Sequence, residues 1–215
     1  MKPIILFDLD GTLIDSTEAI LESFHYALDQ FGSIDYVSDE MITSQIGHPL
    51  EVMFAEVGVR STFIDSHVQT YKNYYRNIAC AKTILLPGAK EAINEASKFA
   101  QLGIVTTKTA LYSKELMEYF GVMHYFKTLI GREHVIHPKP HPEPILKALE
   151  AFESKSDVYM IGDTRLDLEA SIRAGVIGVG VLSGYDNFEE LSLLSDIIKK
   201  DVLEAVEYIG RIGTK

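Results

Sequence analysis

Short runs of almost uninterrupted apolar residues constrain the fold of this chain more than any other feature. Most are bounded by Gly, Asp or Pro, and they lie at residues 4–7, 104–107, 128–131, 158–161 and 176–182. Helical patterns separate them, at about 88–100, 110–120, 142–152 and 165–174. Glycines typical of helix ends follow these patterns: Gly103, Gly121 and Gly175. Because strands buried on both faces show no polar alternation, the sequence predicts an α/β fold with a Rossmann-like, doubly wound parallel sheet.

Residues 15–84 break this alternation. Apolar side chains recur there at helical spacing, beginning with Ile20, Phe24, Ala27, Leu28 and Phe31. Further helical stretches follow near 38–46, 50–58 and 62–78. We therefore predict a core domain of residues 1–14 and 85–215, and a helical cap domain of residues 15–84. Because sites in open α/β sheets form at the carboxyl ends of strands, a cap inserted after the first strand is expected to act as a lid.

The composition argues against several classes of protein. The net charge of −11 over 215 residues disfavours a nucleic-acid partner, whose phosphates require a basic surface. No apolar run approaches the roughly 20 residues of a membrane span, so no membrane partner is expected. The single cysteine, Cys80, permits no internal disulfide, and the N-terminus enters the strand pattern without room for a signal peptide. We predict a cytoplasmic protein.

Residues 4–13 read IILFDLDGTL, so an apolar strand runs directly into Asp8 and Asp10. Interior charges are costly unless they are paired or bind a metal, and two carboxylates this close disfavour each other's ionised form. A divalent cation removes the conflict, and hard oxygen ligands suit Mg²⁺. A simple turn at Asp10 and Gly11 is the alternative. The motif alone does not decide between the two.

Polar residues also stand at later strand ends. The second run leads into Thr106, Lys139 lies between prolines in HPKPHP, and the fourth run leads into Asp163 and Asp167. Each has an ordinary explanation, as a strand threonine, a solvated lysine or a helix N-cap at Asp163 or Thr164. In a parallel sheet, however, these strand ends share one edge. A carboxylate nucleophile, a metal site, a hydroxyl donor and a fixed cation are the parts that phosphoryl transfer requires.

The motifs DLDGT, a strand-terminal threonine, PKPHPEP and GDTRLD follow one another in this order. Over essentially its whole length the chain thereby resembles the haloacid dehalogenase-like hydrolase superfamily. The position of the insert resembles the subgroup with a helical cap after the first motif. Through VTTK, KPHPEP and GDTRLDLEA the chain is most similar to the branch of phosphoglycolate phosphatases and bacterial pyrophosphatases.

The resemblance implies a catalytic role for four residues. Asp8 would attack phosphorus, and water would then hydrolyse the aspartyl-phosphate. Asp10 would protonate the leaving oxygen and later activate that water, which is general acid–base catalysis. Thr106 would hydrogen-bond the transferring phosphoryl group. Lys139 would hold the charges of the nucleophile and the phosphate together.

The resemblance also implies a Mg²⁺ cofactor held by the acids of the first and last motifs. Asp8 and Asp163 would bind the metal through their carboxylates, and Asp10 would bind it through its backbone carbonyl. Asp167 would bind through water or orient the other ligands.

Substrate contacts are expected from the neighbours of these residues. Backbone N–H groups near Gly11 and Thr107 would cradle phosphate oxygens, and Lys108 would assist. His48, in the cap, is expected to lie over the site, against the alternative of a helix-cap or surface histidine. Three further histidines belong to the segment that bears Lys139 and are not interpreted as a soft-metal site: His134, His137 and His141.

Asp10 favours phosphate chemistry over dehalogenation. The dehalogenases that named the superfamily lack a second aspartate in the first motif and need no metal, whereas the alkoxide of a phosphate ester needs a proton. We therefore predict a Mg²⁺-dependent phosphatase of a small phosphorylated metabolite, with phosphoglycolate as the lead substrate. Inorganic pyrophosphatase and sugar-phosphate mutase are the alternatives on the same site.

A phosphorylated receiver domain of a signalling protein is the alternative from another class. Receivers also use strand-end acids, a threonine, a lysine and Mg²⁺. They carry their metal acids adjacent in sequence, however, and they lack an insert such as residues 15–84. A monomer and a homodimer are both compatible with the sequence.

Overall fold

The computed structural model describes residues 2–32, 37–153 and 157–212, and the chain divides into two compact units. One unit contains the chain up to Ile14 and again from Leu85 onward, and the other contains Asp15–Ile84. Among the described residues, no helix combines the length and the apolar character needed to cross a membrane.

The first unit is built on a parallel sheet. In chain order, the strands of the described ranges are β1 (Ile4–Phe7), β2 (Ile14–Asp15), β3 (Ile84–Leu85), β4 (Gln101–Val105), β5 (Phe126–Ile130), β6 (Val158–Gly162), β7 (Ile177–Val181) and β8 (Ile198–Lys199). Six of them form one sheet in the order β5-β4-β1-β6-β7-β8, and every neighbouring pair is parallel. β2 and β3 form a separate two-stranded sheet. The predicted α/β class with a parallel sheet is confirmed.

Helices connect these strands. Within the described ranges they are α1 (Thr17–Phe31), α2 (Asp39–Thr43), α3 (Leu50–Glu56), α4 (Ser61–Lys82), α5 (Ala89–Phe99), α6 (Ala110–Tyr119), α7 (Glu143–Leu149), α8 (Arg165–Ala174), α9 (Phe188–Ser192) and α10 (Val202–Ile212). Short 3₁₀ helices lie at Met123–Tyr125 and Arg132–His134. The four helices predicted between strands are α5 to α8. Beyond residue 182 no helix or strand is predicted, although α10 buries apolar residues at helical spacing: Val202, Ala205, Val206 and Ile209.

The second unit is helical, as predicted for the insert, and it consists of α1 to α4. Its core is aromatic. Phe24 of α1 and Phe54 of α3 stack with ring centroids 4.0 Å apart, and Tyr71 of α4 meets both rings edge-on. Tyr71 and Tyr75 are both buried, so they pack the interior of this unit.

β1 lies inside the sheet and positions the strand ends around it. All four of its residues are fully buried, and it pairs with β4 on one side and β6 on the other. The chain fills the β4 and β5 side first and then continues on the β6 to β8 side, so the direction of winding reverses at β1. Ligand sites form at the carboxyl ends of strands beside such a reversal. Asp8, Thr106 and Asp163 directly follow β1, β4 and β6.

Gly103 is predicted to follow a helix, and the structure instead has it inside a strand. α5 ends at Phe99, and Gly103 lies inside β4. A Cβ at this position would lie 2.8 Å from Leu6 Cδ2 and 3.0 Å from Thr128 Cγ2, so the glycine makes room for neighbouring side chains. Gly121 and Gly175, in contrast, do follow their helices in the left-handed conformation.

We predict that Gly103→Ala lowers the free energy of unfolding by about 1–3 kcal/mol, because the added methyl group overpacks the core. Gly210→Ala in α10 is the control, since a Cβ there meets Phe99 at an ordinary contact distance of 3.4 Å. This control should raise the free energy of unfolding by about 0.5–1 kcal/mol, because alanine is the better helix former. Equilibrium unfolding in urea measures both, and similar effects of the two substitutions would contradict the packing role of Gly103.

Candidate active site

The turn after β1 fixes the first acid of the site. Asp8 is buried, and its N–H donates to the carbonyl of Ile161 in β6 at 2.9 Å. The carbonyl of Leu9 accepts hydrogen bonds from the N–H groups of Leu13 and Ile14 at 2.8 and 3.0 Å. These bonds close a tight turn, so the Asp8 carboxylate is held at the end of β1.

Gly11 shapes this turn and makes room for another acid. Its φ of 80° lies in the left-handed region that favours glycine. Its N–H donates to the carbonyl of Ile14 at 2.8 Å. The expected phosphate contact of backbone N–H groups near Gly11 stays a prediction. A Cβ at this position would lie 2.2 Å from Asp163 Oδ2. The glycine therefore serves the close approach of Asp163 to the turn.

Asp163 directly follows β6, and groups from two other strand ends hold its carboxylate. The Thr12 hydroxyl donates to Oδ1 at 2.8 Å, and the N–H of Tyr185 donates to Oδ2 at 3.0 Å. A Cβ at Gly184 would lie 1.9 Å from the same Oδ2, so the loop after β7 also requires a glycine here. Thr12, Gly184 and Tyr185 are not among the predicted site residues. Their position, in the DLDGT motif and just after a predicted strand, is the signal that could identify them.

Lys139 links the strand ends to one another. Its ammonium Nζ lies 2.8 Å from Asp8 Oδ1 and 2.5 Å from Asp167 Oδ1, and it donates to the Val105 carbonyl at 3.2 Å. Only 2% of the side chain is exposed. The alternative of a solvated lysine in a proline-rich turn is therefore wrong, because the ammonium is buried between two carboxylates.

Asp167 lies in the first turn of α8 and has partners for both oxygens. Oδ1 faces Lys139, and Oδ2 accepts from the N–H of Thr164 at 3.1 Å and from its hydroxyl at 2.7 Å. Of the two N-caps considered, Asp163 and Thr164, the structure has Thr164, and Asp167 completes a capping box with it. Since it contacts both the lysine and the helix terminus, Asp167 orients Lys139 towards Asp8.

Burial and mutual repulsion strongly perturb this cluster. Burial, reinforced by the charge of Asp167, raises the pKa of Asp8 to about 7 against the opposing charge of Lys139. Burial and the charges of Asp8 and Asp167 raise the pKa of Asp163 well above its usual range. Burial acts to lower the pKa of Lys139, but the two carboxylates outweigh it and raise the pKa above its usual range. The lysine is therefore cationic, and the acids are crowded.

The cluster fits a hard divalent cation. Carboxylate oxygens of Asp8, Asp163 and Asp167 all lie within 4.8 Å of one another. When all three are ionised, the cluster holds three carboxylates and one ammonium, and a divalent cation would neutralise the excess negative charge. Asp8 Oδ1 is buried and lies 2.8 Å from the Lys139 ammonium. An all-oxygen set of this kind suits Mg²⁺.

Asp10 forms a second charged pair, with Lys108 of the segment after β4. Lys108 Nζ lies 3.1 Å from Asp10 Oδ2, with 9% and 13% of the two side chains exposed. Thr106 is buried, and its Oγ1 accepts from the N–H of Lys108 at 3.2 Å, which leaves its hydroxyl proton for another acceptor. Thr107, between Thr106 and Lys108 in the chain, is half-buried, and its predicted phosphate contact stays a prediction. His48 belongs to the second unit, between α2 and α3, so its predicted substrate contact stays a prediction.

We predict that Gly11→Ala weakens Mg²⁺ binding by about 10- to 100-fold, because the added Cβ displaces Asp163. Gly121→Ala is the matched control: Gly121 also has a positive φ of 71°, but nothing lies within 4 Å of an added Cβ. Both substitutions should lower the free energy of unfolding by about 1–2 kcal/mol through backbone strain alone. Calorimetric titration with Mg²⁺ measures the affinities, and an equal loss in both variants would contradict the role of Gly11 at Asp163.

Comparisons with known proteins agree with this geometry. The chain matches the family described as haloacid dehalogenase-like hydrolase over residues 5–181. It is 31% identical to a phosphoglycolate phosphatase of Aquifex aeolicus, covering 91% of this chain and 95% of that protein. It is 34% identical to the pyrophosphatase PpaX of Anoxybacillus flavithermus, covering 90% and 94%. A haloacid dehalogenase-like family hydrolase of Streptococcus pneumoniae superposes with a TM-score of 0.85 at 28% identity, covering 96% and 97%. The chain belongs to the haloacid dehalogenase-like hydrolases.

Proposed function

We propose that this hydrolase is a Mg²⁺-dependent phosphatase that cleaves a small phosphomonoester through an aspartyl-phosphate on Asp8. The observation that carries the proposal is the buried Asp8 carboxylate, which shares Lys139 with Asp167 and faces Asp163 across the same cluster. A carboxylate of raised pKa, fixed beside a permanent cation, is suited to become a nucleophile once its negative charge is stabilised.

The proposed hydrolysis has two half-reactions, and Asp8 and Asp10 take part in both. In the first, an Asp8 oxygen bonds to phosphorus, the bond from phosphorus to the leaving oxygen breaks, and Asp10, which must be protonated at this stage, gives that oxygen its proton. In the second, Asp10 takes a proton from water, the water oxygen bonds to phosphorus, and the bond to Asp8 breaks. Free phosphate is released and both carboxyl groups return to their starting states.

The remaining residues hold charge and position. Lys139 offsets the charge of the nucleophile and of the phosphoryl oxygens, and the free hydroxyl proton of Thr106 is available to one of those oxygens. Asp8, Asp163 and Asp167, with the backbone carbonyl of Asp10, would hold the metal. A bound Mg²⁺ supplies the positive charge that lets an anionic nucleophile approach an anionic phosphate.

Lys108 bears on the substrate class. Its ammonium pairs with Asp10, the proposed acid of the leaving group, so positive charge lies beside the position of that group. A leaving group that itself carries an anion would be stabilised there, whereas the net charge of −11 would repel it elsewhere. The carboxylate of glycolate meets this requirement. Phosphoglycolate is therefore the lead substrate, in agreement with the name of the Aquifex aeolicus relative.

Inorganic pyrophosphate is the second candidate. Its leaving group is also an anion, and the relative named pyrophosphatase PpaX is 34% identical to this chain. The receiver alternative has less support, since the helical insert and the second aspartate of the first motif are both present. No feature of the described residues favours a sugar-phosphate mutase over a hydrolase.

We predict that phosphoglycolate or pyrophosphate releases phosphate in the presence of Mg²⁺. The counterpart with an uncharged leaving group, 2-hydroxyethyl phosphate, should be the poorer substrate, because its leaving group offers Lys108 no anion.

Asp8→Asn should lower kcat by at least about a thousand-fold, as expected for loss of a nucleophile. Asp196→Asn is the matched control, since this exposed carboxylate lies in the same unit and outside the cluster. Phosphate release under steady-state conditions measures all three substrates.

Retention of near-normal kcat by folded Asp8→Asn protein would rule out the nucleophile assignment. Equal kcat/KM values for phosphoglycolate and 2-hydroxyethyl phosphate would rule out a preference for an anionic leaving group, while leaving the proposed phosphatase chemistry intact. No phosphate release from any of the compounds would contradict the proposed function as a whole.

A further inference from the structure

A second cluster of metal-ligating side chains lies in the segment that precedes α7, and the proposed reaction does not use it. His137, His141 and Glu143 each offer one ligand atom, and these atoms lie within 4.8 Å of one another. His137 and His141 are exposed, and Glu143 is half-buried. Lys139 stands between the two histidines in sequence, but its ammonium is buried in the carboxylate cluster. The two sets of ligands therefore differ in both composition and exposure.

The distances within this cluster bracket those of a tetrahedral metal site. His137 Nδ1 lies 2.9 Å from Glu143 Oε2, and His141 Nδ1 lies 4.0 Å from the same oxygen. The two imidazole centroids are 4.6 Å apart. Ligand atoms about 2.0–2.1 Å from a tetrahedral zinc ion are separated by about 3.3 Å, which falls between the two measured distances. Small rotations of the two rings would satisfy this geometry.

Glu143 is held in place before any metal binds. Its Oε1 accepts from the N–H of Ile136 at 2.8 Å, and its Oε2 accepts from the N–H of His137 at 3.0 Å. These backbone bonds, with the His137 side chain, lower the pKa of Glu143 to about 2. Prolines alternate with the residues of the loop and restrict its backbone: Pro138, Pro140 and Pro142. The carboxylate is therefore charged and preorganised at neutral pH.

In contrast to the interpretation from sequence alone, we propose that His137 and His141, together with Glu143, form a binding site for a borderline transition-metal ion of the Zn²⁺ class. Two imidazoles and one carboxylate are a preferred ligand set for Zn²⁺, whereas Mg²⁺ selects oxygen ligands throughout. The site is thus selective against the ion proposed for the carboxylate cluster. With three protein ligands, the fourth position is available to water or to a small external ligand.

Metal binding requires two local changes. His137 must present Nδ1 without its proton, so the bond between this nitrogen and Glu143 is replaced by two bonds to the metal. His141 must release the N–H of Glu143, which its Nδ1 accepts at 3.1 Å. That N–H belongs to the first turn of α7, where water can replace the lost partner. Both changes leave the backbone bonds to the Glu143 carboxylate in place.

Calorimetric titration of the full chain with Zn²⁺, with Mg²⁺ in large excess to occupy the carboxylate cluster, tests the proposal. We expect one Zn²⁺ per chain. His137→Gln and His141→Gln should each weaken binding by at least about tenfold. His124→Gln is the matched control, since His124 is exposed in the 3₁₀ helix Met123–Tyr125, and it should leave the affinity unchanged.

Imidazole nitrogen NMR of the unsubstituted protein provides a readout that does not depend on how the variants fold. Among the seven histidines of the chain, the resonances of His137 and His141 should shift with Zn²⁺, and those of the other five should not. Zn²⁺ affinity that survives both substitutions, shifts confined to other histidines, or no binding at all would each overturn the proposal. The proposed phosphatase function stands or falls separately, because phosphate release with Mg²⁺ does not involve these side chains.

Discussion

The buried ion pairs of Lys139 with Asp8 and Asp167 are the interaction on which the site depends. Removing charges from water is costly, and a single ammonium cannot balance the three carboxylates of the cluster. Burial, together with the residual repulsion, raises the pKa of Asp8 and of Asp163. A divalent cation would relieve this repulsion. The same crowding that makes the cluster unfavourable without a metal would thus give it affinity for one. Stability and function are coupled through this one group of charges.

The parallel sheet brings these charges together. Because winding reverses at β1, the segments after β1, β4, β6 and β7 all supply groups to one edge. Close approach of their backbones is possible only where side chains are missing. Gly11 and Gly184 both face the Asp163 carboxylate at distances that no Cβ would allow. The fold therefore provides the position of each acid, and glycines determine how near the acids come.

The sequence predicts the acids and the lysine well, because each follows a recognisable apolar run or lies in a distinctive motif. Asp8, Lys139, Asp163 and Asp167 do meet in the structure. The sequence does not predict Thr12, Gly184 or Tyr185 as partners of Asp163, because those contacts depend on which loops face each other across the sheet. The prediction that Gly103 ends a helix is wrong for a similar reason. The sequence alone does not distinguish a glycine at a helix end from a strand glycine that makes room for neighbouring side chains. The fold class was accessible from local pattern, whereas side-chain pairing required the tertiary arrangement.

The most direct test of this account is the midpoint of thermal unfolding with and without Mg²⁺, for the unsubstituted protein and for Asp163→Asn. Mg²⁺ should raise the midpoint of the unsubstituted protein, since it binds the folded state, and should leave that of Asp163→Asn unchanged. In the presence of a chelator, Asp163→Asn should be at least as stable as the unsubstituted protein, because the amide removes a buried negative charge. An equal rise with Mg²⁺ in both proteins, or a rise in neither, would contradict the claim that the crowded carboxylates are a metal site.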